Sequence, residues 1–302
     1  ESIEMMQIAL GLSDDEIQNG TWGWTNINSN SPRMLDNPMA QGIIDFARLN
    51  QMSIITPFCL AGAMAPITVA GALTLQHAEA LAGITLSQLA RAGAPVSYGG
   101  FSSNVDMKSG SPAFGTPEHV KMQIGAGQLA RHIDLPWRSA SGSASNTCDM
   151  QAATETDMAI WGGLMSNAAG WLEGGLSFGY EKFINDMECL QSVAELAAPT
   201  KADEAEIGFE ALAEVDPGGH FFATAHTLER YKHAFYEPLV ADLDNFGRWE
   251  EGGRLSSADR ATQSWQNKLA EFQVPEQCQT AAALVEQYIA DKTASGGADP
   301  VD

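Results

Sequence analysis

The chain has 302 residues, 44% of them hydrophobic, which is enough for one large domain or two ordinary ones. Its formal net charge is −22, from 38 acidic against 16 basic side chains, and no basic stripe exists to neutralise phosphates, so nucleic acid is excluded as a partner. No apolar run is long enough to cross a bilayer, no basic-then-apolar signal opens the sequence, and the four cysteines stand far apart without a CxxC pair, so neither membrane insertion, a zinc site nor a disulfide framework is expected and the location reads as cytoplasmic.

The sequence opens on "ESIEMMQIALGL", which reads as a helix already under way and suggests a portion of a longer chain. "MSIITPF" (Met52–Phe58) reads as a buried strand, and a Gly/Ala loop follows it. Val69 to Arg91 is rich in Ala and Leu without an internal proline, and Gly93 is a C-cap candidate just past it. "APVSYGGF" (Ala94–Phe101) is a second strand running into the polar loop "SSNVDMKSGSPAFG". "TPEH" opens a helix with Thr116 as N-cap and Pro117 in its first position. "LPWRSAS" (Leu135–Ser141) is a third strand, followed by a small-residue loop and a helix from Asp149 to Leu164.

Strand, Gly/Ser-rich loop and helix recur three times, which is the alternation of a parallel sheet with its polar loops at the C-terminal strand ends. No GxGxxG follows any strand, so a barrel is favoured over a dinucleotide-binding open sheet. From about Tyr180 the pattern turns helical. Ser256 with Asp259 forms a capping box before an apolar stripe at Trp265, Leu269 and Phe272, where Trp265 and Trp249 read as packing. A last helix runs from about Glu276 to Lys292, and the tail beyond it reads as disordered. The acid gathers in this last third: residues 51–150 carry five acidic and five basic side chains, whereas 201–302 carry nineteen and eight. It reads as a solvated coat.

Within "NAAGWLEGGLSFGYEKF" (Asn167–Phe183), one carboxylate, Glu173, stands between Trp171 and the glycines at 174 and 175. An aromatic face and a carboxylate are groups that attract a cation, and glycine lets another molecule approach the backbone. A loop that enters a helix explains the same residues.

Six stretches in order resemble one family: "ESIEM" at the start, "ITPFCLAGAMAPITVAGAL", "GAPVSYGGFSSNVDMKSGSPAFGTPE", "AAGWLEGGLSFGYEKF", "VDPGGHFFATAHTLERY" and "FYEPLVADLDNFGRWEEGG". The family is the trimethylamine methyltransferase (MttB-type) superfamily of corrinoid-dependent methyltransferases, and the resemblance runs from Glu1 to about Tyr288. It implies an α/β fold, a (β/α)8 TIM-type barrel that here is incomplete at the N-terminus. Residues 1–236 would form the partial barrel with the methyltransferase site, and 237–302 a helical extension. It implies transfer of a methyl group from a methylated amine to the cobalt of a separate corrinoid protein, with no cofactor covalently bound to this chain. The absence of pyrrolysine places the chain with the branch acting on quaternary amines such as glycine betaine. Met165–Ser166–Asn167 stands where the family pattern has a longer segment forming a barrel strand, so a strand is expected to be missing before Ala168.

A quaternary ammonium leaves as a neutral tertiary amine, so the site has to hold a cation, align one methyl and exclude water, with no proton to deliver. Glu173 is the catalytic candidate, with a structural hydrogen-bonding role as its alternative. Trp171, Phe101, Tyr98 and Trp137 are candidates for a substrate cage, or else core aromatics. Ser102, Asn104, His220 and His226 can bind a substrate carboxylate, or else cap loops and pack. A hydrolase holding a metal on Glu173, His220 and His226 is disfavoured by the lack of HxH or HExxH, so no metal site is expected. A non-catalytic remnant of the barrel is the rival reading. Homo-oligomerisation stays open.

Overall fold

The computed structural model describes residues 1–163, 171–172, 176–200, 202–217 and 219–297, with only the backbone of Trp171. Glu173, the tail beyond 297 and Met165–Asn167, where a strand was expected to be missing, lie outside the described residues.

Two short helices open the chain, α1 (Ser2–Leu10) and α2 (Asp14–Asn19), the second closed by a capping box between Ser13 and Glu16. The main repeat then runs β1 (Trp24–Ile27), α3 (Asn37–Arg48), β2 (Met52–Ile55), β3 (Leu60–Ala61), α4 (Val69–Ala90), β4 (Val96–Gly99), β5 (Ser103–Asn104), α5 (Pro117–His132), β6 (Trp137–Arg138) and α6 (Met150–Gly163). Three helix starts show why the sequence breaks there. Asp36, Thr68 and Thr116 each accept a backbone N–H of the first turn, satisfying a donor that has no partner inside the helix.

β1, β2, β4 and β6 form one parallel sheet in that order, each strand beside the next one along the chain. Side chains alternate across it, and its two faces differ. Ile27, Ile55 and Tyr98 point to one face, where they pack with Ile43 of α3, Ala80 and Ile84 of α4, and Ala126 and Ala130 of α5. Val96 and Trp137 join that cluster. Three successive helices thus cover the same face, the arrangement of a singly wound βα sheet rather than of a doubly wound one. Gly83 makes the close approach possible, since a Cβ there would lie 2.7 Å from the Ile55 side chain. Among the described residues the sheet does not close into a barrel. The strand over Trp24–Ile27 was not legible in the sequence, and the three expected strands shorten, the first to its N-terminal residues and the other two to their central ones.

After a two-stranded antiparallel pair, β7 (Trp171–Leu172) with β8 (Ser177–Phe178), the chain is helical as expected. It forms α7 (Tyr180–Ala197), α8 (Glu204–Ile207), α9 (Phe209–Glu214), α10 (Ala225–Arg230), α11 (Phe246–Glu251), α12 (Ser257–Glu271) and α13 (Glu276–Ala294). Two carboxylates of α7 fasten the later segments to it. Glu188 accepts from the Tyr236 hydroxyl at 2.6 Å and from the Val240 N–H at 2.6 Å. Glu181 accepts from the Thr262 hydroxyl and the Trp265 indole of α12. These bonds hold Tyr236, Val240, Thr262 and Trp265 to α7. α13 returns to α1, where Lys292 pairs with Glu4 at 3.6 Å.

Candidate active site at the strand ends

The loops after β2 and β4 are drawn together by β3 and β5, which pair in parallel, Leu60 with Ser103 and Ala61 with Asn104. Ser102 reinforces the join by accepting the Cys59 N–H at 3.0 Å. Above the strand ends three phenylalanines collect. Phe58 follows β2, Phe101 follows β4, and Phe114 comes from the loop before α5. Ring centroids are 5.3 Å apart for Phe58–Phe101, 4.7 Å for Phe101–Phe114 and 6.0 Å for Phe58–Phe114, with interplanar angles of 18–27°. Phe114 is fully buried and backs the cluster, while Phe58 and Phe101 are half-buried.

The inner face of the sheet, opposite the helices, leads up to these rings. Alternation gives it Ile54 and Thr56 from β2 and its end, Ser97 and Gly99 from β4, and Arg138 from β6. Gly99 has no room for a side chain: a Cβ would lie 2.1 Å from Thr56 Oγ1 and 2.7 Å from the Ile55 carbonyl oxygen.

Two carboxylates, the buried Glu79 and the half-buried Glu155, hold the surrounding loops. Glu79 of α4 accepts from the hydroxyls of Ser29 at 2.5 Å and Ser31 at 2.6 Å and from the Arg33 N–H at 2.6 Å, fixing the loop after β1. Glu155 of α6 does the same for the loop after β6, accepting from Ser143 Oγ at 2.7 Å and the Ala144 N–H at 2.9 Å. A cavity of about 210 Å3 beside Glu79 is lined by Ile27, Ile43 and Ile55 and so belongs to the helix side.

The site offers little acid–base chemistry. Burial pushes the Cys59 thiol up to about 11, keeping it protonated at neutral pH. Burial also lowers His119, at the start of α5, to about 4, so its imidazole stays neutral there. Its Nδ1 accepts the Gly115 N–H at 2.8 Å, and its ring edge meets Phe114 with centroids 5.2 Å apart.

Of the residues expected at the site, Phe101 joins the cluster. Tyr98 does not: it is fully buried on the helix side, its hydroxyl 3.2 Å from His77 Nδ1. Trp137 also faces the helices, with its ring against Gly127 of α5. Both placements follow from strand parity. Ser102 spends its hydroxyl oxygen on Cys59, and Asn104 accepts the Thr116 hydroxyl at 2.7 Å, so both lock loops. His220 is exposed beside Phe222, and His226 of α10 sits 3.0 Å from the Ala205 carbonyl, and neither joins the phenylalanine cluster. For Trp171 the backbone pairs with Phe178. Among the described residues no group of three or more His, Cys, Asp or Glu can hold a metal ion, and no helix is long and apolar enough to cross a membrane.

Residues 1–297 match the family model described as trimethylamine methyltransferase (MTTB). The chain belongs to the trimethylamine methyltransferase family. This family member is similar to a glycine betaine methyltransferase of Desulfitobacterium hafniense (strain Y51), with 33% identity over 97% of this chain and 62% of the relative. It also resembles a trimethylamine methyltransferase MttB of D. hafniense (strain DSM 10664 / DCB-2), 28% identical over 85% of this chain and 53% of the relative. A third relative is MttB1 of Methanosarcina mazei, 29% identical over 76% and 48%. The chain thus spans about half the length of the curated relatives it matches.

Proposed function

We propose that this family member acts in methyl transfer from a methylated amine, a quaternary ammonium such as a betaine, to the cobalt of a partner corrinoid protein. The observation that carries the reading is the cluster of Phe58, Phe101 and Phe114 where the parallel strands end. A permanent cation is attracted to aromatic faces and cannot be held by hydrogen-bond donation from its own nitrogen, which has no N–H. The corrinoid, when its carrier docks, supplies a strongly nucleophilic metal centre. This chain's part is to seat the ammonium, aim one methyl outward and keep water away. Neutral surroundings suit that work. The leaving amine departs with its own lone pair, so no proton donor is needed, and Cys59, held as a thiol, does not compete for the methyl. Glu173 remains the carboxylate proposed to assist beside the ammonium.

The test is spectroscopic: conversion of cob(I)alamin to methylcobalamin by the protein with glycine betaine, carnitine or trimethylamine. Turnover with a quaternary amine is expected. Turnover with trimethylamine alone contradicts the quaternary-amine reading. Binding of betaine without any turnover supports the remnant reading.

A further inference from the structure

The inner face of the sheet carries a charge that no neighbour among the described residues neutralises. Arg138 follows Trp137 in β6, so it points away from the helices, and it is half-buried. Dehydration pulls its guanidinium below the ordinary arginine range. The chain has 38 acidic residues, yet none of the ion pairs found among the described residues takes Arg138, and its side chain has no hydrogen-bond partner there. A buried or half-buried guanidinium ordinarily finds a carboxylate, because its donors are costly to leave unmet.

Its place relates it to the aromatic cluster. Arg138 is in register with Gly99, and its carbonyl accepts the Gly100 N–H at 3.1 Å, so the ladder continues toward Phe101. Phe101 lies two residues beyond Gly99, a rise of about 7 Å along the strand. Gly99 contributes no side chain, and Thr56 contributes a hydroxyl, so the inner surface between the guanidinium and the rings is low and uncharged. Ser102 and Asn104 are uncharged and use their oxygens to accept from the Cys59 N–H and the Thr116 hydroxyl, so neither supplies the charge that Arg138 does.

We propose that Arg138 is the anion anchor of this site, pairing with the carboxylate of a zwitterionic methylated amine whose ammonium rests on Phe58 and Phe101. It selects betaines over methylated amines that lack an acid group. This deepens the proposed function and rests on it.

The experiment titrates the full chain, as wild type, Arg138→Gln and Arg138→Lys, with glycine betaine and tetramethylammonium by calorimetry. Acetate is followed through the side-chain Nε–H resonance of Arg138 and through competition with betaine. Arg138→Gln is expected to weaken betaine roughly ten- to a hundred-fold, the worth of a charge-assisted bidentate pair, and to leave tetramethylammonium within about twofold. Arg138→Lys is expected to fall between, because a point charge keeps the attraction without the planar fork. Unchanged betaine affinity in Arg138→Gln overturns the proposal, as does an equal loss for tetramethylammonium. A wild-type chain that binds tetramethylammonium but neither acetate nor betaine overturns the anchor and keeps the amine reading. One that binds acetate at Arg138 but no ammonium keeps the anion site and overturns the amine reading. Binding of none of the three overturns both.

Discussion

Asp186→Ala is expected to destabilise the fold by about 3–5 kcal/mol, the cost of stranding one charge of a buried ion pair. Lys182 and Asp186 face each other one turn apart on α7, with side chains 1% and 3% exposed. Lys182 Nζ also donates to the Thr156 hydroxyl of α6 at 2.6 Å, so the pair joins two helices. Without the carboxylate, an ammonium stays buried with one hydroxyl to compensate it. Urea unfolding of the wild type and variant measures the loss, and the thermal midpoint should fall by roughly ten degrees. The double variant Lys182→Met/Asp186→Leu should recover most of it, because apolar side chains of similar size carry no desolvation cost there. A double variant as unstable as the single one would show that packing, not charge, sets the loss.

Stability should also fall as the solution is acidified from about pH 6.5 toward pH 4, by on the order of 3 kcal/mol, through His119 alone. In the unfolded chain this histidine takes a proton near 6.5, whereas burial holds it neutral in the fold down to about 4. Between those values the unfolded state binds more protons, so acid favours unfolding. The contribution is fully present above pH 6.5 and is lost as pH falls toward 4. Carboxylates held low by hydrogen bonds, Glu181 and Asp149 among them, add their own loss only below about pH 4.5. His119→Asn places an amide oxygen where Nδ1 now accepts the Gly115 N–H. Its denaturation free energy should be nearly flat between pH 7 and pH 5. A variant that keeps the wild-type slope would move the effect to another group.

The βα alternation was legible because the units carry their own punctuation: a capping residue at Thr116, glycine-rich loops, and apolar runs between them. The facing of individual strand residues was not. Strands buried on both faces show no hydropathy alternation, so "VSYGGF" gives no hint that Tyr98 turns to the helices and Phe101 to the inner surface. Aromatic character made Tyr98 and Trp137 look like site residues; their positions in the helix-side cluster made them core. Phe58 and Phe114 were missed because each sits singly in a loop, and only the pairing of β3 with β5 brings them beside Phe101. Two residues did carry a signal. Glu79 is the lone acid of an Ala-rich helix, and Arg138 is a charge inside a strand; such residues are rarely buried without a task. The ammonium-holding role proposed for the cluster rests on the placement of its rings, not on any motif.

That role is tested most directly by calorimetric titration of the chain with glycine betaine, comparing wild type with Phe58→Leu and Phe101→Leu. Leucine keeps the apolar bulk and removes the aromatic face. Affinity is expected to fall by about three- to thirty-fold in each variant, the range of one or two cation–π contacts, with melting temperatures little changed. Wild-type affinity in both variants would contradict the account and take the ammonium away from the strand-end phenylalanines.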